Sequence, residues 1–538
     1  MKLKLALLCL GVTWLFASWS RAETYDLIIR HGRIVDGTGN PAWFGDVGVS
    51  NGRIVALGRI AGDAKREIEA TNLIVAPGFI DVHTHADDVA ELPLAENFVR
   101  MGVTTIVVGN CGGSAADIAK LFRGIEATKV SVNVASLIGH GTVRGRVMGG
   151  SFMRPPSAEE LERMKAMVEQ GMKDGAVGLS TGLIYLPGTF AKTEEIIELA
   201  KVASAYDGIY ASHMRDEGKD IFKSLNELFR IAREAHIRAE VSHIKLSGNS
   251  SWGQTGKVIA ALERARAEGL DITEDEYAYD ASSTGMSQLV PETAREGGHA
   301  KFLERVADPE QKAAIIEKMR ASLAGNGRTN YSYAVIAEYK PEMSLNGLSI
   351  PEAAKAKLGS DSLADQIEMI LDIEKHGGAQ AVFHGINEDD LQQFLQFPNT
   401  MIACDSGSRD FGVGVPHPRG YGNNARVLAR YVRELHVLRL EDAIRRMTTL
   451  PAETFRLKDR GQLREGNWAD ITIFDPATVQ DNATYKDPHH YASGIPYVIV
   501  NGVEVVKNGE HTKARPGQAL RHAAPTELTP LRRGESQP

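Results

Sequence analysis

Residues Ala76-Pro77-Gly78-Phe79-Ile80-Asp81-Val82-His83-Thr84-His85-Ala86-Asp87-Asp88 decide how this chain is read. The run from Leu73 to Val82 is mostly apolar and β-branched, the composition of a strand. Residues i and i+2 of a strand point to one face. His83 and His85 therefore project side by side where the strand stops. Two imidazoles beside carboxylates form the first half of a transition-metal site. In a chain with 16 histidines such a pair also arises by chance, so the case rests on what lies downstream.

From Ala76 to about Ser408 strand-like and helix-like segments alternate. The strand candidates are Phe79–His83, Thr104–Val108, Ser131–Ile138, Gly175–Leu179, Gly208–His213, Ala239–His243, Leu270–Tyr277 and Met401–Cys404. Between them, stretches such as Ser157–Lys173, Thr193–Ala205, Ile221–Ala235 and Lys257–Glu268 repeat apolar residues at three and four positions, the helical period. This pattern predicts an α/β fold, a (β/α)8 TIM-type barrel over residues 76–450. A doubly wound sheet is the competing architecture. The barrel is favoured because metal-binding and polar residue types recur at strand C-termini, which a barrel gathers at one mouth and an open sheet spreads apart.

Two flanks do not fit the barrel. Residues 23–75 and 451–521 hold short β runs, among them Asp26-Leu27-Ile28-Ile29, Asp46-Val47-Gly48-Val49, Asp470-Ile471-Thr472-Ile473-Phe474 and Tyr497-Val498-Ile499-Val500. Strands this short need partners, so both chain ends are expected to build one small β-sandwich. Residues 281–382, between the seventh and eighth strands, are too many for an ordinary loop and predict an inserted lid subdomain. The polar tail 522–538 is expected to be disordered.

Lys2 and Lys4, the apolar stretch Leu5–Ala17 and the small-residue site Ser20-Arg21-Ala22 read as a cleaved signal peptide over residues 1–22. Its expected consequence is a secreted or periplasmic protein. No other stretch is long and apolar enough to span a membrane. The net charge of −8 and the lack of a basic stripe argue against a nucleic-acid partner. Nothing in the sequence encodes an oligomeric state. Beyond residue 22 two cysteines remain, Cys111 and Cys404, too few for a disulfide framework. One disulfide between them is the bland reading in an oxidising compartment.

Four further positions bear on a metal. Cys111 follows the second strand among glycines that permit close backbone approach, and a thiolate there could bind an ion. His213 and His243 end strands five and six, each after a serine. Singly each reads as a structural histidine. Together they fall at the mouth that holds His83 and His85. Asp405 ends strand eight; it reads as a turn residue alone and as a general acid/base at such a mouth.

The segments GFIDVHTHADD, TTIVVGNCG, GHGTVR, GLSTGLIYLPG, SHMRDEG, VSHIK, DEYAYDASST, CDSGS with HPRGYG, MTTLPAETFRL and GQLREGNWADITIFDP occur in this order. With them the chain resembles the amidohydrolase superfamily and, within it, the D-aminoacylase (N-acyl-D-amino-acid deacylase) family. The resemblance implies that His83 and His85 are a ligand pair, that Cys111 bridges metals, and that His213 and His243 hold the tighter zinc, with a second, weaker site beside it. It implies that Asp405 is catalytic and that Arg419 holds the substrate carboxylate. Lys245 and either Tyr277 or Tyr279 would assist, and Ser282 or Ser283 would add a hydrogen bond. The family often has proline between the two tyrosines, where Ala278 stands here. The implied reaction is hydrolysis of N-acyl-D-amino acids, small-molecule substrates, to a carboxylate and a free D-amino acid. The alternative is a dipeptidase acting on peptides with a C-terminal D-residue. Ring-opening amidohydrolases usually carry a bridging lysine after strand four, and Gly178-Leu179-Ser180-Thr181-Gly182 has none.

Overall fold

The computed structural model describes residues 25–523. The expected signal segment, and residues 524–538 of the expected tail, lie outside the described residues. The Leu73–Val82 run is two strands rather than one: Ile74–Pro77 joins a flanking sheet, and Phe79–Asp81 begins the barrel. Pro77 and Gly78 make the break. A side chain at Gly78 would meet Thr104 at 2.3 Å, so only glycine lets the chain pass so close to the neighbouring strand.

Eight parallel strands form the barrel: β1 (Phe79–Asp81), β2 (Val103–Val108), β3 (Asn133–Ser136), β4 (Gly178–Gly182), β5 (Ile209–His213), β6 (Arg238–Val241), β7 (Ile272–Glu276) and β8 (Thr400–Ile402). The expected fourth strand, Gly175–Leu179, lies three residues further along; its glycine-rich start is a turn at Gly175, which has φ 104°. The ring closes between β8 and β1 just past the strand ends. There the Asp405 N–H donates to His83 O (2.9 Å) and the His85 N–H to Ser406 O (3.0 Å). Below that seam the buried Asp81 carboxylate accepts the Cys404 N–H at 3.1 Å. Burial, only partly offset by these hydrogen bonds, pushes the Asp81 carboxyl up to about 7.

Amphipathic helices pack outside the strands. Helix Ile221–Ala235 buries Ile221, Leu225, Leu228 and Ala232, spaced three and four apart. At the N-terminal end of the barrel Leu450, Ala452, Phe455 and Leu457 pack with inward residues such as Ile80, Val107 and Ile209 into one apolar plug. Residues 451–457 therefore belong to the barrel floor, not to the expected sandwich. Residues 517–522 also run beneath the barrel, with the Leu520 N–H donating to Val134 O (2.8 Å) and the His522 N–H to Gly175 O (2.9 Å).

Strands from both chain ends build one nine-stranded sheet, joined where Ile471–Phe474 pairs antiparallel with Ile74–Pro77. Its inner faces share a core of Ile29, Val47, Val49, Ile471 and Ile499, among others. Between β7 and β8, a three-stranded antiparallel sheet (Ala281–Gly285, Ala334–Glu338, Gln380–His384) and helices including Pro309–Gly325 and Leu363–Lys375 enclose a separate apolar core. No helix among the described residues is long and apolar enough to cross a membrane.

Candidate metal centre and active site

The strand C-termini bring the predicted ligands and Asp405 to one point. Cys111 Sγ lies 3.3 Å from His83 Nε2, 3.8 Å from His213 Nδ1 and 3.7 Å from His243 Nε2. His85 and His83 present Nε2 to Asp405 Oδ1 at 3.1 and 3.6 Å. A tetrahedral zinc with Zn–S near 2.3 Å and Zn–N near 2.0–2.1 Å separates sulfur from nitrogen by about 3.6 Å. The donor set thus fits zinc in chemistry and spacing. Three overlapping groups of donors adjoin, His83–Cys111–His243, His83–His85–Asp405 and His213–Glu217–His243, with each group's atoms within 4.8 Å of one another. They provide for one ion and for a second beside it.

The backbone at this point is unusual. Cys111, His243 and Asp405 have φ of 52°, 39° and 49°, in the left-handed region that side chains rarely occupy and that recurs at functional sites. Each lies just past its strand, where the chain must turn sharply to keep its side chain over the barrel axis. Glycines make room: a side chain at Gly182 would come within 2.2 Å of Cys111 O.

Buried carboxylates orient the candidate ligands. Asp275 Oδ2 is 3.2 Å from His83 Nδ1, and its Oδ1 accepts the His243 N–H at 3.0 Å. Glu217 Oε1 is 2.9 Å from His243 Nδ1 and 2.7 Å from Lys245 Nζ. A carboxylate behind a ligating imidazole fixes its orientation and raises its basicity. Glu240 neighbours Asp275, and burial together with that charge drives the Glu240 carboxyl well above its ordinary range. Burial opposes charge on Cys111, but His83 and the other imidazoles hold its thiol well below the usual value, as a ligand sulfur requires. Asp405 is pushed up by burial and pulled further down by Arg419 and His83, so it stays ionised.

Sequence reasoning does not single out these carboxylates, because Glu217, Glu240 and Asp275 have no ligand-type spacing of their own. The one signal available is Glu274-Asp275-Glu276, three acids in one buried strand.

The other predicted residues are placed as follows. Arg419 Nη2 is 2.9 Å from Asp405 Oδ2 and also donates to Ser283 O at 3.2 Å. Its Nε and Nη1 are buried without a partner, and its guanidinium lies 4.4 Å from the Tyr277 ring centroid. The Tyr277 hydroxyl is likewise buried without a partner. Tyr279 is a correction. Its ring lies under Arg426 (4.7 Å), and its hydroxyl points to Gly422, away from the cleft. The two tyrosines do not share a face, because β7 ends at Glu276 and the chain bends beyond it. Lys245 is held by Glu217 and by His243 O (2.5 Å). Ser282 and Ser283 lie on the first strand of the inserted sheet, at the wall of the cleft. Cys404 is free and buried, and so is not disulfide-bonded to Cys111.

Two cavities meet at Asp405. The larger, about 680 Å³, is lined by His85, Cys111, Arg409 and Arg419 among others. The smaller, about 330 Å³, is lined by His213, His243, Lys245 and Tyr277 and is roofed by Leu289, Tyr333 and Phe383 of the insertion. Tyr185 stands on both walls, its hydroxyl 3.1 Å from Thr284 Oγ1.

A closed parallel barrel with a sulfur–imidazole–carboxylate cluster at its C-terminal mouth defines a metal-dependent hydrolase architecture. The chain belongs to the amidohydrolase family, whose model matches residues 66–397 and 405–506. It is 34% identical over 533 residues to a D-aminoacylase of Alcaligenes xylosoxydans xylosoxydans, covering 94% of this chain and 100% of that one. It is also 34% identical to an N-acyl-D-glutamate deacylase of the same organism, over 93% of this chain and 98% of the relative. Among solved structures, the N-acyl-D-glutamate deacylase of Bordetella bronchiseptica, complexed with zinc and a phosphonate mimic of the tetrahedral intermediate, matches with a TM-score of 0.80. That pair is 33% identical, and the match covers 93% of this chain and 100% of the other.

Proposed function

We propose that this chain is a zinc-dependent hydrolase that cleaves the amide bond of N-acyl-D-amino acids, releasing a carboxylate and a free D-amino acid. The observation that carries this reading is the convergence of His213 and His243 within 3.8 Å of the Cys111 sulfur, beside an ionised Asp405 paired with Arg419. Cys111, His213 and His243 would hold the tighter ion, and His83 and His85 a second, weaker one. Zinc in such a site supplies Lewis acidity, which acidifies water and polarises a carbonyl.

The chain's own residues supply the rest. Asp405 sits where it can accept a proton from the attacking water and return it to the leaving nitrogen. Arg419 offers Nε–H and Nη1–H to the substrate carboxylate, a planar fork suited to that group. The Tyr277 hydroxyl is available to donate beside it. With the carboxylate and the scissile amide fixed, the two remaining substituents of the α-carbon are hydrogen and the side chain, so the hand is selected by which of those two directions the cavity walls leave open. Relatives named as a D-aminoacylase, an N-acyl-D-glutamate deacylase and an N-acyl-D-aspartate deacylase support the class. Lys2, Lys4 and the Leu5–Ala17 stretch support export of the protein, to the periplasm or beyond.

The test is a panel of N-acyl-D- and N-acyl-L-amino acids, with L-Xaa-D-Xaa dipeptides, assayed on purified protein of measured zinc content. Turnover confined to the N-acyl-D compounds is the expected result. Turnover of L substrates at equal rates, or zinc-free protein of full activity, would reject the reading.

A further inference from the structure

Arg409 lies in the segment after β8 and lines the larger cavity with Arg419. It is seated rather than loose. Its Nε donates to Ser406 Oγ at 3.0 Å, and its main-chain N–H to Asn97 Oδ1 at 3.3 Å. A side chain at Gly420 would lie 3.3 Å from Nε, so the glycine leaves room for the guanidinium. Among the described residues, no carboxylate lies within 4.0 Å of Arg409, and its terminal nitrogens make no hydrogen bond.

Arg409 is half-buried, and its guanidinium is left to the cavity rather than to a protein carboxylate. Burial and the neighbouring Arg419 both act against its charge. Glu338 favours that charge from a distance, but among the described residues no acid of the cavity pairs with it. Asp405 is taken by Arg419 at 2.9 Å, Glu338 lies 3.7 Å from Lys340, and Asp88 stands elsewhere on the wall. Asp405 pairs with Arg419, and Arg409 has no carboxylate within ion-pair distance among the described residues. Arg419 also keeps two buried nitrogens without partners. A carboxylate, which accepts on both oxygens, can serve two guanidinium groups at once.

We infer that Arg409 is a second substrate-binding arginine, which takes the α-carboxylate of the N-acyl-D-amino acid jointly with Arg419. The inference rests on the function proposed above. It names a residue outside the ligand set and outside the arginine that the sequence singled out.

The experiment compares wild-type enzyme, Arg409→Met and Arg409→Lys on an N-acyl-D-amino acid and on its uncharged carboxamide. Competitive inhibition by an unreactive N-alkyl-D-amino acid and by its carboxamide gives the same comparison without turnover. Arg409→Met is expected to raise KM for the acid, and Ki for the charged inhibitor, by about 10- to 100-fold, the usual effect of losing hydrogen bonds to a charged group. kcat should stay within a few-fold, the carboxamides should be unaffected, and Arg409→Lys should recover part of the loss. Equal losses on acid and carboxamide, or no loss on the acid, would overturn the inference. If the wild-type enzyme hydrolyses no N-acyl-D-amino acid, the proposed function fails first, an outcome distinct from activity that ignores Arg409.

Discussion

The two ends of the barrel are built from the same eight strands and have opposite chemistry. At the N-terminal end Leu450, Ala452, Phe455 and Leu457 seal the interior with apolar side chains. At the C-terminal end Cys111, His243 and Asp405 turn through left-handed backbone to aim their side chains at one point. A sulfur, several imidazoles and a carboxylate crowd there, where the plug at the floor is apolar. Strain and buried charge are tolerable at the mouth because the floor and the outer helices hold the strand ends in place. Substitutions at the mouth should therefore act on chemistry, and those at the floor on stability.

The largest effect is expected at Cys111. Cys111→Ala removes the sulfur that lies between His83, His213 and His243. Activity should fall by more than about 1000-fold, with loss of tightly bound zinc, because a site with one donor fewer no longer closes around the ion. Zinc analysis and steady-state kinetics on one sample check this. Retention of full zinc and substantial turnover would break the assignment of the mouth as a metal centre.

Asp405→Asn comes next. It keeps the shape of the side chain but cannot accept the water proton, so kcat should drop by about 100- to 10,000-fold, the usual range for a lost general base. Zinc content should be largely kept. The variant leaves Arg419 without its counter-charge, so a thermal melt must accompany the kinetics. A loss of zinc as large as the loss of turnover would make Asp405 a ligand first and a base second.

At the floor, Phe455→Ala should destabilise the protein by about 3–5 kcal/mol, through lost burial and the cavity left behind. The ring is 2% exposed and part of the apolar plug. kcat and KM measured well below the melting temperature should stay within about twofold, the size of effect expected where no contact with substrate is lost. Denaturant unfolding gives the first quantity. A large change in kcat without a change in stability would mean that the floor is coupled to the mouth.

The alternation of strand and helix is legible because apolar periodicity depends on local sequence. The candidate ligands are legible because His83, His85, Cys111, His213 and His243 sit in motifs at strand ends. Less legible is everything that depends on where the chain bends. Leu73–Val82 reads as one strand, yet Gly78 divides it between two sheets, because what forbids a side chain there is Thr104 on a neighbouring strand. The carboxylates behind the imidazoles escape notice for a similar reason. Glu217 and Asp275 matter through partners far away in sequence, such as His83, which is 192 residues from Asp275.

The smallest effect separates the two tyrosines, and it sharpens the contrast at the scale of single side chains. Tyr277 and Tyr279 have the spacing of one strand face, but β7 stops at Glu276, and the chain is then pinned by Asn423 Oδ1 accepting the Ala278 N–H at 2.9 Å. Only Tyr277 remains under Arg419, on the wall of the smaller cavity. Tyr277→Phe removes one hydroxyl that no protein group satisfies and that a substrate carboxylate would. KM should rise by about 3- to 10-fold, the size of one modest hydrogen bond. Tyr279→Phe removes a hydroxyl that is also without a partner but faces Gly422 and lines neither cavity, so KM should not move, while the melting temperature registers any loss of contact there. Kinetics on both variants decide the matter: equal KM effects would mean that the bend after Glu276 does not part the two side chains in solution.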